Sequence, residues 1–254
     1  MQPLSARKRL LLELLSAMGL VLACVWGTYW VFSSINYEWK WESIWPSRVL
    51  ILKGWLLTMV VTASSLVGSI VIGALLMLGQ RSAIIPLRQM ARAIVELVRG
   101  MPLLVLLLLG YYGVANAFRF NDALLVAIVL LSLFEGAYLA EIFRGAWESI
   151  GASQLEAARA VGFDRVQTWR FVIFPQALRR ALPGTAGQLV SLVKDSSLLT
   201  VIAIQEVTQA VRSANAQAYT ALEGYVPLAV LYLVLTLPIS WWARRLEERF
   251  RFET

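Results

Sequence analysis

Long apolar stretches separated by short polar ones set the plan of this chain. Residues 10–32, 50–78, 93–118, 123–143, 183–204 and 225–243 are each long and apolar enough to predict a membrane-crossing helix. The requirement is a hydrocarbon core of about 30 Å, crossed at 1.5 Å per residue. Six spans follow. The second carries Thr62, Ser64, Ser65, Gly68 and Gly73, small residues that let helix backbones approach closely in lipid. The third carries Glu96 and Arg99 at i, i+3, which predicts a pair on one face. Gly100 and Pro102 then interrupt that helix, because Pro removes a backbone bond and clashes with the preceding turn. Two readings stand there, a broken helix lining a cavity or a kink near the interface. Pro183 is expected to open the fifth span, with Lys194, Asp195, Ser196 and Ser197 in mid-segment. Residues 206–223 read as an outer loop.

The polar stretches set the orientation. Arg7, Lys8 and Arg9 precede the first span. Arg81, Arg88 and Arg92 follow the second, Arg144 to Arg180 follow the fourth, and Arg244, Arg245, Arg249 and Arg251 follow the last. The remaining loops carry balanced charge. By the positive-inside rule both termini and the loop 144–183 are expected in the cytoplasm. Val21-Leu22-Ala23-Cys24 resembles a lipoprotein cleavage site, but the apolar run continues through Val25, Trp26 and Trp30. That predicts an uncleaved signal anchor. In the loop 36–48, Trp39, Trp41 and Trp45 suit a membrane interface.

The loop around residues 154–175 predicts a compact helical knob. Ser153 with Glu156 is a capping-box signature for a first helix, and Asp164 with Gln167 repeats it for a second. Gly162 falls where the first helix must end, since Gly takes the left-handed conformation without a Cβ clash. Ala157 and Ala158 keep one face small enough for another backbone to come close.

Composition supports a membrane protein. Of 254 residues, 59 % are hydrophobic and 15 % charged, with mean hydropathy +0.67. A soluble domain of this length rarely combines the two. One cysteine excludes a disulfide framework, and the absence of histidine removes the usual metal and catalytic clusters. The formal charge of +7 lies in short runs between apolar segments, which points to membrane topology and not to nucleic acid. An intramembrane enzyme built on Glu135 and Glu141 is disfavoured, because six residues turn a helix by about 240° and the carboxylates do not share a face. There is no Gly-rich loop followed by Lys and Ser or Thr, so no P-loop binds ATP here.

Glu156-Ala157-Ala158, three residues, Gly162, nine residues, then Val172-Ile173-Phe174-Pro175 resembles the EAA loop of ABC importer permeases, with Val172 and Phe174 as apolar departures from its usual ending. The segments 95–104, 137–145 and 192–198 are similar to the polar amino-acid branch of that family. The resemblance implies an all-α membrane protein, a type I ABC importer permease-like bundle. It would have a five-helix core at residues 50–250, including a cytoplasmic coupling loop 144–183, and an additional N-terminal unit at residues 1–49. It further implies docking on a separate ATPase through Glu156, Ala157, Ala158, Gly162, Phe163 and Pro175. ATP and Mg2+ would sit on that partner, with no cofactor in this chain. A second permease chain, identical or related, a solute-binding protein outside, a polar amino acid and membrane lipid complete the implied partners. The implied location is the bacterial cytoplasmic membrane. The alternative is a structural permease half whose partner chain carries the pocket.

Arg99, Pro102, Glu135, Tyr138, Lys194, Asp195 and Ser196 are the candidates for the substrate pathway. A charge deep in a span is expensive, so Glu135 should face the bundle interior with Tyr138 on the same face. It either touches the pathway, directly or through a basic residue such as Lys194, or forms an interhelical pair with Arg99 or Lys194. Which amino acid is carried stays open. Glu135 suits a cationic ligand, while residues 134–138 also resemble acidic and general amino-acid permeases.

Overall fold

The computed structural model describes residues 6–34 and 37–250, with side chains from Leu12 onward except 13, 14 and 17. Arg251 and Asn36 lie outside the described residues, as do the side chains of Arg7, Lys8 and Arg9. Two compact units form, Met1–Lys40 and Trp41–Thr254. In the first, α1 (Ala6–Ser34) carries an apolar stretch at Met18–Ser34. Thr28 and Ser34 bond back to the carbonyls of Cys24 and Trp30, so these hydroxyls do not burden an apolar helix.

The second unit contains α2 (Trp41–Ile44), α3 (Arg48–Gln80), α4 (Ile85–Gly100), α5 (Leu103–Leu108), α6 (Ala123–Glu148), α7 (Ala152–Ala160), α8 (Arg165–Gln167), α9 (Phe174–Asp195), α10 (Val207–Ala218) and α11 (Tyr225–Phe250). Every regular element among the described residues is helical. Trp41–Gln80, Ala123–Glu148 and Tyr225–Phe250 are long and apolar enough to cross a membrane. Two bent pairs raise the count to five: α4 with the helix continuing from α5 to Ala115, bent by 110°, and Arg165–Ile202 with α10, bent by 50°.

The most extensive helix pair is α3 with α6. The face α3 buries is its small one: Gly54, Thr58, Val61, Ser65, Ser69 and Gly73, spaced three or four apart. Its large apolar side chains, including Leu52, Leu56, Val60, Val67 and Leu75, point outward. This inverts a soluble amphipathic helix, because lipid solvates leucine as well as a protein core does and association depends on close packing. At Gly73 the backbones themselves come close. A Cβ there would lie 2.9 Å from the Leu139 Cβ and 3.0 Å from the Gly136 carbonyl oxygen. Ser132 also donates to the Ser65 carbonyl at 3.3 Å.

Three sequence expectations are corrected here. The expected third span is interrupted at Met101–Pro102, but α4 begins at Ile85 and meets the next helix at a steep angle. Pro183 lies inside α9, which starts at Phe174, because neighbouring helices in a bundle compensate the bond a proline removes. The expected outer loop 206–223 contains α10. Val207, Ala210, Val211 and Ala214 form its buried stripe at helical spacing, and the Glu206 carboxylate caps it by accepting from the amides of Thr208 and Gln209, both at 2.9 Å. Glutamate is not among the preferred capping residues, so the start of this helix carried no clear signal.

Candidate functional site

Two regions gather the chemistry, one at the end of the bundle beside α7 and one in its interior. In the interior, Glu135 on α6 is 1 % exposed, as expected of a carboxylate held away from lipid. The expected pairing with Arg99 or Lys194 is not found. Gln188 on α9 donates its amide to Glu135 Oε2 instead. Glu135 Oε1 is buried with no donor facing it, and Asp195 brings a second carboxyl group to the same place. Gln188 and Asp195 are seven residues apart, two turns, so one face of α9 meets Glu135. At Asp195 the α-helix ends and tightens into a 3-10 segment, Ser196–Ile202. Ser196 is buried and bonds the Val193 carbonyl at 2.7 Å, while Lys194 points outward. Lys194 therefore stands apart from the cluster.

Arg99 also takes a different partner from the one its spacing suggests. It does not pair with Glu96. Its guanidinium lies 3.7 Å from Glu141 Oε2 and 5.2 Å from the centre of the Tyr138 ring, which contacts Phe134. Arg99 sits on the last turn of α4, and the break at Met101–Pro102 presents it to α6. The i, i+3 pair on α4 is a local possibility that loses to a carboxylate already anchored on the neighbouring helix. Glu141 accepts Arg144 Nη2 at 2.6 Å and Nε at 3.3 Å, an i, i+3 pair within α6, and Gln80 Nε2 at 3.1 Å. Arg144 also donates to Glu148 at 2.6 Å, and Arg81 stacks 4.8 Å from the centre of the Trp147 ring. These groups border a cavity of about 360 Å3 between the ends of α3 and α6 and one face of α4.

The knob forms at the same end. Gly162 has φ +81°, as its position predicts. The Phe163 amide donates to Ala158 O and the Gly162 amide to Arg159 O, both at 3.0 Å, which closes a Schellman motif. The Asp164–Gln167 capping box is complete, with bonds of 2.8 and 2.9 Å. The Ser153–Glu156 box does not form. The N-cap is Gly151, and α7 begins one residue before Ser153. Two short helices were expected, but α8 continues through π-helical turns at Thr168–Ile173 into α9, so one helical path runs from Arg165 to Asp195. Pro175 lies in the first turn of α9, where a missing N–H is best tolerated. Glu156 and Ala157 are not packed away in the same manner as Ala158, which is buried against its own chain, so the small face expected of the two alanines is divided. The outward surface is apolar instead: Val161 and Val166 are each 71 % exposed and Phe171 60 %, beside Phe163. Arg180 bonds Ser149, and Gln176 reaches Gln154 at 3.4 Å, tying α9 to the start of the knob.

This arrangement, a bundle with a rigid helical knob at one end, has counterparts among known proteins. Residues 69–252 match the family described as binding-protein-dependent transport system inner membrane components. The chain belongs to that family. The glutamine transport system permease protein GlnP of Escherichia coli (strain K12) is 36 % identical over 216 residues, covering 84 % of this chain and 99 % of that protein. The probable glutamine ABC transporter permease protein GlnM of Bacillus subtilis (strain 168) is 31 % identical over 198 residues, covering 78 % and 92 %. A crystal structure of an amino acid ABC transporter with histidines superposes with a TM-score of 0.77 at 29 % identity, over 84 % of this chain and 100 % of that one. The protein is thus a multi-pass membrane permease with the type I ABC importer fold, a transport subunit.

Gln188, Gln80 and the role of Arg144 as a bridge were not singled out from the sequence. Gln188 left one usable signal, a large polar residue two turns before Asp195 in a stretch of mostly apolar and small residues. Gln80 left none, because a polar residue at a helix end reads as an ordinary interfacial one.

Proposed function

We propose that this permease carries polar amino acids inward across the bacterial cytoplasmic membrane, coupled to a separate ATPase and supplied by a solute-binding protein. The observation that carries this reading is the match to a glutamine permease along 99 % of that protein's length. The interior geometry supports it. Arg99 offers a guanidinium for an α-carboxylate, and Asp195, half-buried in front of Glu135, offers an acceptor for an α-ammonium. Tyr138, on the turn that follows Glu135, holds its ring against the Arg99 guanidinium. Pro102 holds the break that aims Arg99 inward, and Ser196 fixes the turn after Asp195. Because this chain carries both groups itself, the reading in which only a partner permease holds the pocket has less support.

The knob is the coupling element. Glu156, Ala157, Gly162 and Phe163 lie on or beside its outward surface, and the continuous helix from Arg165 carries movement there to Asp195. Pro175 stands where that helix enters the bundle. ATP and Mg2+ belong to the docked ATPase. The arginine-rich ends favour a cytoplasmic position for the knob and both termini. A second permease chain completes the path. The test is uptake of labelled glutamine, glutamate, asparagine, histidine and arginine into proteoliposomes holding the complex with its ATPase and binding protein. ATP-dependent uptake of at least one is expected. Uptake of none, with an intact complex and active ATPase, overturns the assignment.

A further inference from the structure

Where the knob's helix enters the bundle, another cavity of about 340 Å3 opens, distinct from the one beside Glu141. Every side chain in its lining is apolar. α3 contributes Ala74 and Leu78, α6 contributes Trp147, and the helical path from the knob contributes Trp169, Ala177 and Leu178. Leu78, Trp169 and Leu178 are each about half exposed, so the cavity is open on its outer side. Apolar side chains alone would mark only a hollow in a lipid-facing surface. The groups at its knob end make it more selective. The last turn of α3 carries the lining face on to Arg81, seven residues after Ala74 and three after Leu78, and the Arg81 amide still donates to the Met77 carbonyl at 3.2 Å. The Arg81 guanidinium stacks 4.8 Å from the centre of the Trp147 ring, the same ring that lines the cavity. Its ion-pair partner, Glu148, lies 3.9 Å away and is already held by Arg144 at 2.6 Å. Arg81 is therefore an exposed and weakly paired cation. The indole N–H groups of Trp147 and Trp169 have no hydrogen-bond partner among the described residues.

A guanidinium and two indole N–H groups are all donors, and they stand at the polar end of an apolar cavity. The complement is a molecule with an apolar chain and a negatively charged head made of acceptors. Tryptophan rings settle at the headgroup level of a membrane, and basic pockets between spans attract anionic headgroups. We propose that this cavity seats one acyl chain of an anionic phospholipid, drawn from the leaflet on the knob's side, with its phosphate on Arg81. The volume falls at the lower end of ligand pockets, roughly 300–1,000 Å3, and suits part of a single chain. Such a lipid touches α3 and α6 on one wall and the helix leaving the knob on the other. It therefore fastens the knob to the bundle, and it does so whichever solute the permease carries.

The experiment uses the purified full-length permease in uncharged detergent micelles. The probe is phosphatidylglycerol, with phosphatidylcholine of the same acyl chains as the zwitterionic comparison. In native mass spectrometry from an equimolar mixture, wild type should retain phosphatidylglycerol several-fold over phosphatidylcholine. Phosphatidylglycerol should also raise its Tm by several degrees more, because a ligand that binds only the folded state stabilises it. Arg81→Gln should lose most of both differences, and Arg81→Lys, which keeps the charge, should retain them. Ala177→Leu fills the cavity and should release the lipid with Arg81 still in place; if that variant does not fold, the Arg81 pair decides alone. Equal retention of the two lipids by wild type, or Arg81→Gln indistinguishable from wild type, overturns the proposal. A disulfide between chains from Leu178→Cys on a Cys24→Ser background places a second permease over the cavity and overturns it as well.

Discussion

Replacing Glu135 with glutamine separates a group kept for transport from one kept for stability. The side chain is 1 % exposed and receives one donor, the Gln188 amide. A hydrogen bond to a charged group contributes about 1.5–3 kcal/mol and a neutral one about 0.5–1.5, so Glu135→Gln sacrifices roughly 1–1.5 kcal/mol at that contact. Against this, a buried carboxylate oxygen without a donor costs about 1–3 kcal/mol. The new amide supplies a donor toward Asp195, where Glu135 Oε1 has none. Relief of that unmet acceptor outweighs the weakened hydrogen bond. Glu135→Gln should therefore be more stable than wild type by roughly 1 kcal/mol, read by denaturant titration of the purified permease in mixed micelles. Uptake in proteoliposomes should fall, because the acceptor for an ammonium group is weakened. A loss of stability above about 1 kcal/mol would show that the carboxylate serves the fold. Wild-type uptake of every amino acid tested would refute its place in the pathway.

Gly73→Ala should destabilise the bundle, because its Cβ meets backbone at 3.0 Å; overpacking costs about 1–3 kcal/mol and the gain in helix propensity only about 1. Gly145→Ala, in the same helix pair but with nothing within 4 Å, should be stabilising in the same titration. Gly162→Leu places a branched side chain at φ +81° and should assemble in the membrane yet lose ATPase recovery on co-purification; full recovery would mean the knob is only a linker. Asp164→Ala removes the capping box, worth about 0.5–2 kcal/mol, and should lower the coupled ATPase rate more than it lowers complex yield. Reporter fusions at the C-terminus and near residue 160 should report cytoplasm and those near Trp41 the outside; the reverse pattern would overturn the orientation.

The sequence by itself determined what short-range physics can determine. Apolar run length sets the class of bundle, since it has to match the membrane. Gly162 and the Asp164–Gln167 box mark the ends of the knob's helices, because a left-handed residue and a reciprocal cap are defined by neighbours only a few positions away. The burial of Glu135 follows from the cost of charge in lipid and needs no knowledge of its neighbours.

Partner choice was different. Arg99 prefers Glu141 over Glu96, Glu135 prefers Gln188 over a basic residue, and Gly151 replaces Ser153 as the cap of α7. In each case the local spacing allowed more than one pairing, and the tertiary arrangement decided among them. The break at Met101–Pro102 aims Arg99 at α6, and the continuous path from Arg165 to Asp195 rests on π-helical turns that no spacing rule announces. The cavity beside Glu141 exists only because the ends of α3, α4 and α6 converge there. Such convergence is a property of three helices at once, and one-dimensional periodicity describes each helix singly.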